Sequence, residues 1–179
     1  MTTVSELLCG PPSAWVLDAA RTKVGFATKT MWGAATVKGT FSDVEGAGEL
    51  TAAHDVNGHL HIGEASLRTG IGKRDDHLRS ADFFDVAEFP LIDVAVRGGV
   101  VEGTHTVELR ATVTVKGVER SVDLATTATV LDDGAVRIVA HTELDRHDFD
   151  VDGNLLGMVG GVARISADAV FTPLGVPSS

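Results

Sequence analysis

"HTVELRATVTVKGVERSVDLATTATV", residues 105–130, decides how this chain is read. His105, Val107, Leu109, Ala111, Val113 and Val115 share one face of an extended segment, and Thr106, Glu108, Arg110, Thr112 and Thr114 share the other. After Lys116-Gly117 the alternation resumes with Val122, Leu124, Thr126, Ala128 and Val130. Successive side chains of a strand point to opposite faces, so this period of two predicts strands with one apolar and one wet face. Antiparallel sheets accommodate that asymmetry.

The same period extends outward in both directions. Val136, Ile138, Ala140, Thr142 and Leu144 continue it downstream. Upstream it appears in Ile92, Val94 and Val96, in Leu60 and Ile62 opposite His59 and His61, in Val37, Gly39 and Phe41, and in Val24, Phe26 and Thr28. Asn57-Gly58, Gly98-Gly99, Lys116-Gly117 and Asp132-Asp133-Gly134 read as turns, because these residues tolerate positive φ. The expectation is an all-β fold, an antiparallel β-barrel of about eight strands. A sandwich filled by large side chains is the competing arrangement. Aromatics make up only 5% of the chain and many inward positions are Ala, Val, Gly or Thr, which favours a hollow barrel with room for one small ligand.

The 179 residues suit one domain, expected over residues 14–174, with a flexible tail at 1–13 and a short one at 175–179. A net charge of −10 repels phosphate backbones and disfavours nucleic acid as a partner. Cys9 is the only cysteine, so neither an intramolecular disulfide nor a thiolate metal cluster is expected. No run approaches the ~20 apolar residues of a membrane span, and the opening segment lacks a basic region and an apolar core like those of a signal peptide. A cytoplasmic location is the expectation.

Chemistry-bearing groups are sparse. His54, His59 and His61 cluster in sequence, but around a turn, and no metal site is expected there. In "KRDDHLRSADFFD", residues 73–85, Asp75 and Asp76 suit the first turn of a short helix and Ser80 the N-cap of a second turn. Leu78, Phe83 and Phe84 are the apolar side chains of this stretch and converge if it turns helically over a barrel opening. No nucleophile elbow, phosphate loop or dinucleotide fingerprint occurs, so no catalytic residue is assigned. The alternative is an enzyme acting on a small hydrophobic substrate with His77 and Asp75 or Asp76 as acid–base groups. A ligand-free structural or stress-related module is the third reading.

"WVLDAARTKVGF", "VKGTFSDVEG", "SLRTGIGKRDDHLRSADFFDVAEFPLIDV", "VTVKGVERSVDL" and "LDRHDFDVDG" occur in the order found in the YceI-like family, which the chain resembles from Trp15 to about Phe171. The most specific parts are "RDDHLRSADFFDVAEFP" and "KGVERSV". The resemblance implies an extended lipocalin-like barrel with a small helical insertion. It also implies a long isoprenoid lipid or prenyl quinone in the barrel, for carriage, storage or sensing, no other cofactor, and a homodimer. The sequence departs from the family pattern at Arg21 and Thr30, where relatives often carry histidine, and at Ser121, where proline is common. Candidate lining residues, from alternation and the helical insertion, are Val24, Phe26, Met31, Trp32, Phe41, Leu78, Phe83, Phe84, Val107, Leu109, Val113, Leu124 and Ile138.

Overall fold

Strand pairing closes the sheet on itself. The computed structural model describes residues 2–30, 33–102, 105–153 and 160–175. Its strands are β1 (Ser13–Leu17), β2 (Lys23–Lys29), β3 (Thr36–Phe41), β4 (Val44–Leu50), β5 (Val56–Gly63), β6 (Leu91–Glu102), β7 (Thr106–Val115), β8 (Val118–Val130), β9 (Val136–Asp145) and β10 (Val162–Pro173). All pairings are antiparallel, in the order β1-β4-β5-β6-β7-β8-β9-β10, and β1 pairs again with β10. The result is the expected eight-stranded barrel.

The two remaining strands are continuations. β10 pairs with β2 over Ala163–Asp168 and with β1 over Phe171–Pro173, so β1 and β2 are one long strand interrupted by the 3-10 turn Ala19–Arg21. Asp18 caps that turn through its side chain, which accepts from Ala20 N–H and Arg21 N–H. β3 and β4 are likewise one strand with a corner at Ser42-Asp43, where both backbone N–H groups donate to Ser66 Oγ at 3.1 and 3.0 Å. A barrel edge is thus turned by two local devices without losing pairing.

Alternation places the apolar faces inward. In β7, Val107, Leu109, Ala111, Val113 and Val115 are buried, while Thr106, Glu108 and Arg110 are exposed. The polar outer face is the reverse of an outer-membrane barrel, whose lipid-facing side is apolar. Among the described residues no helix is long and apolar enough to cross a membrane.

Two of the four expected turns are strand interior instead. Asn57 and Gly58 lie inside β5, paired with β4 on one side and β6 on the other. The chain reverses earlier, at Thr51–Asp55, where Thr51 N–H donates to Asp55 C=O at 2.9 Å and His54 takes φ 64°. Ladder hydrogen bonds on both sides outweigh the turn preference of an Asn-Gly pair. Gly98-Gly99 is a bulge within β6: the register shifts between Arg97 and Gly99, and Gly98 supplies φ 70°. The other two are turns as expected. Lys116 and Gly117 both have positive φ, and Gly134 has φ 81°.

Between β5 and β6 the chain leaves the barrel and covers one end. A 3-10 turn, Glu64–Ser66, is followed by a bridge between Thr40 and Arg68 that extends the β3 edge. Helix α2 (Gly72–Arg79) comes next. Ser80 is the C-cap of α2, and its Oγ donates to His77 C=O at 2.6 Å instead of N-capping a following turn. At the opposite end lies helix α1 (Val4–Leu8), within the stretch expected as a flexible tail. That stretch is not free chain throughout, because a Thr3–Glu6 capping box forms the helix and the barrel buries Val4, 3% exposed. Residues 176–179 lie outside the described residues.

Candidate functional site

One apolar cavity of about 350 Å³ runs through the barrel and reaches both of its covered ends. Its wall comes from inward positions of the strands. Val24, Phe26, Phe41, Val107, Leu109, Val113, Leu124 and Ile138 all line it. Leu78, Phe83 and Phe84 of the insertion close one end. Every expected lining residue that the structure describes therefore touches this space. Met31 and Trp32 lie outside the described residues.

The closed end is built on Phe83. This ring is 1% exposed and packs in the core with Leu67 and Leu78. His77 meets it edge-on at a centroid distance of 5.3 Å, and the Arg146 guanidinium carbon lies 5.8 Å from its centroid. Arg146 begins the 3-10 turn Arg146–Phe149 after β9 and donates to Val151 C=O, Gly153 C=O and Gly160 C=O at 2.5, 3.0 and 3.2 Å. It thereby folds the β9–β10 loop over the ring. At Gly153 a Cβ would lie 2.2 Å from Asp82 C=O and 2.4 Å from the Phe83 ring, so the loop and insertion meet through a position without a side chain.

Asp75 is spent on structure. Its Oδ1 accepts from Thr69 N–H at 2.9 Å and from Thr69 Oγ1 at 2.5 Å, and it is 4% exposed. These bonds tie the start of α2 back to the preceding loop. Asp76, expected beside it in the first helical turn, sits further along and faces Arg79 at 3.4 Å. His77 Nε2 stands 3.5 Å from Asp82 and 35% of its side chain is exposed. The three groups offered as acid–base partners thus do not converge on the cavity, and none of them lines it.

The histidines separate as well. His54 lies at the α1 end, where its Nδ1 donates to Leu8 C=O at 3.0 Å. His59 and His61 stand beside each other on the outer face, rings 5.0 Å apart, with His61 bonded to Asp93. Arg21 is outside the barrel, paired with Asp18 and Asp133 at 2.7 and 2.8 Å. It pins the β1–β2 bend to the β8–β9 turn and does not reach the cavity.

Several wall residues escaped the sequence reading. Ala163, Ile165, Ala167, Ala169 and Phe171 of β10 line the cavity in strict alternation, a signal the sequence does carry. Val4, Leu7 and Leu8 of α1 also line it, signalled only by the Thr3-x-x-Glu6 pattern. Thr126 and Thr28 are buried hydroxyls in the wall, and both are satisfied locally. Thr126 Oγ1 donates to Val107 C=O, and Thr28 Oγ1 donates to Val162 C=O at 2.9 Å. The wall therefore asks little polarity of an occupant.

Among the described residues, two groups near the closed end have buried polar atoms without a partner, Arg79 through its Nε and Glu64 through its carboxyl. Glu64 is 0% exposed, and neither of its carboxyl oxygens has a hydrogen-bond partner. Burial pushes its carboxyl up to about 8, against a weaker opposing attraction from Lys116. It is held as the neutral acid at pH 7, outside the lining of the cavity.

Comparison with known proteins agrees with this architecture. A UPF0312 protein of Azotobacter vinelandii is 30% identical over 89 residues, covering 49% of this chain and 46% of that protein. A UPF0312 protein of Pseudomonas syringae pv. syringae is 30% identical over 96 residues, covering 51% and 48%. The chain spans about half the length of the curated relatives it matches. Among solved structures, Burkholderia cenocepacia BcnA superposes with a TM-score of 0.78 at 19% identity, covering 87% of this chain and 99% of that one. A polyisoprenoid binding domain from Saccharophagus degradans superposes with a TM-score of 0.75 at 18% identity, covering 90% and 99%. At these identities the two structures speak for the shared barrel. The YceI-like domain itself matches residues 15–171, nearly the whole barrel, and the chain belongs to that family.

Proposed function

We propose that this protein binds a long-chain isoprenoid lipid, a polyisoprenoid or an isoprenoid quinone, inside the barrel, and that it carries, stores or senses that lipid. The observation that supports this best is the apolar cavity of about 350 Å³, lined by inward strand positions and reaching both ends of the barrel. Ligand sites commonly range over ~300–1,000 Å³ and are mostly apolar. An extended branched hydrocarbon suits such a space, since each buried methylene contributes about 0.8 kcal/mol. The similarity to a polyisoprenoid binding domain points to the same ligand class.

Binding without turnover fits the chemistry of the wall. Asp75 is committed to Thr69, and His77 and Asp76 sit outside the lining. The test is native purification, organic extraction and lipid mass spectrometry, repeated after incubation with a prenyl quinone. Co-purified or captured prenyl lipid at near one per chain is the expected result. Protein that is repeatedly recovered empty and also ignores the added quinone would end the proposal.

A further inference from the structure

We infer that helix α1 is the end wall of the cavity and that Val4, Leu7 and Leu8 limit the length of chain it accepts; this rests on the binding function proposed above. The insertion closes one end of the barrel with Leu78, Phe83 and Phe84. At the other end the closing residues come from α1, and all three line the same cavity. Val4 is 3% exposed and packs with Val107, Leu109 and Ala128, whereas Ser5 and Glu6 on the opposite side of the helix are exposed.

A five-residue helix has no stability of its own, so its placement needs explicit fastening. Two fastenings are present. Glu6 N–H donates to Thr3 Oγ1 at 3.2 Å while Glu6 Oε2 accepts from Thr3 N–H at 2.7 Å, which closes the first turn. The His54 ring donates to Leu8 C=O at 3.0 Å and ties the last turn to the β4–β5 loop. Val4, Leu7 and Leu8 all precede residue 15, where the family match begins, so this wall is an addition outside the matched domain.

The distance between the two ends sets a scale. The ten residues of β7, at ~3.3 Å per residue and a ~40° tilt, span roughly 25 Å along the barrel axis. An isoprene unit adds four carbon–carbon bonds of ~1.5 Å in a zigzag, about 5 Å of length. Val4 packs against Val107 and Leu109, so α1 lies inside that span, and a straight chain of at most about five units fits between Phe83 and α1. Longer chains must fold back or displace the helix.

The experiment measures binding of farnesol, geranylgeraniol and solanesol, prenols of three, four and nine isoprene units, by displacement of an apolar dye from the full chain. The variants are the double substitution Val4→Ala/Leu8→Ala and, separately, Val4→Trp, each checked for an intact melting transition. Wild type is expected to favour the two short prenols over solanesol by about tenfold or more, the discrimination a wall of a few methylenes can impose. The double variant should lose most of that preference by gaining solanesol. Val4→Trp should weaken geranylgeraniol more than farnesol. If wild type binds the short prenols and both folded variants keep its length profile, the role of α1 is overturned while the binding function stands. If wild type binds none of the three prenols, the binding function fails and this inference falls with it.

Discussion

Replacing Glu64 by glutamine removes a titration from the protein's interior without changing the side chain's shape. The carboxyl titrates near 4.5 in an open chain and at about 8 in the fold. Between those values the folded protein holds a proton that the unfolded chain has released. Stability therefore falls as pH rises, by about 1.4 kcal/mol per pH unit, from the unfolded value up to the folded one. Below pH ~4.5 the penalty is absent; at pH 7 it is about 3 kcal/mol, and above pH ~8 it levels near 5 kcal/mol. Glutamine keeps the unpartnered polar atoms, a cost that does not vary with pH, and abolishes the proton-linked part. Urea unfolding of wild type and Glu64→Gln at pH 4, 5.5, 7 and 8.5 reads the difference directly. The variant should gain on wild type steadily from pH 4.5 to 8. At pH 7 that gain corresponds to a melting point higher by roughly 6–12 °C, at 2–4 °C per kcal/mol for a chain of this size. A difference that stays constant across the four pH values would refute the reasoning, because only a carboxyl as well solvated in the fold as in the open chain titrates alike in both states. Prenol binding should be unaffected, since Glu64 does not line the cavity.

Phe83→Ala removes the ring at the closed end and should cost about 3–5 kcal/mol in denaturant unfolding; a loss under 1 kcal/mol would show that the ring is not a packing centre. Gly153→Ala forces a Cβ to within 2.2 Å of Asp82 C=O and should cost about 1–3 kcal/mol, with the β9–β10 loop gaining protease sensitivity. Unchanged stability and cleavage would mean that the loop does not rest on the insertion. Leu124→Trp places a large ring in the cavity and should leave the far-ultraviolet circular dichroism native while abolishing uptake of an apolar dye. Retained uptake would place the dye elsewhere. Arg137→Ala breaks a bidentate pair with Asp168, at 2.7 and 2.5 Å, on the outer face; the loss in denaturant unfolding should be small and shrink in salt, and a large loss that salt leaves unchanged would contradict this.

The barrel was legible because its strands carry their burial pattern in plain alternation. Residues 106–130 could be assigned inward and outward face by face, and most of the inward set, from Val107 and Leu109 to Thr126 and Ala128, lines the cavity. Failures came where local preference and long-range pairing conflict. Asn57-Gly58 has a turn's chemistry, yet it sits between two partner strands, and no single segment announces its neighbours. Ser80 has an N-cap's chemistry, and the helix that it terminates instead uses it as a donor. Helix α1 is too short to show a helical period, so only its capping pair marks it. Glu64 was invisible for a different reason. A glutamate beside a turn ordinarily faces water, and its burial arises from an insertion and a hairpin that meet only in the folded chain.

The pairing of β1 with β10 has a consequence for how the molecule comes into being. Trp15, Val16 and Leu17 pair there with Pro173, Thr172 and Phe171, and β2 extends the same seam along Ala163–Asp168. Strands β5 to β10 can each pair with a neighbour made shortly before, whereas the β10-facing edge of β1 and β2 must wait for nearly the whole chain. A ribosome adding ~5–20 residues per second leaves an open, curling sheet with its apolar face uncovered for many seconds. The inner surface is then a trough, not a tunnel. A hydrophobic molecule lying in that trough when β10 arrives is enclosed by the last stroke of folding, with no doorway required.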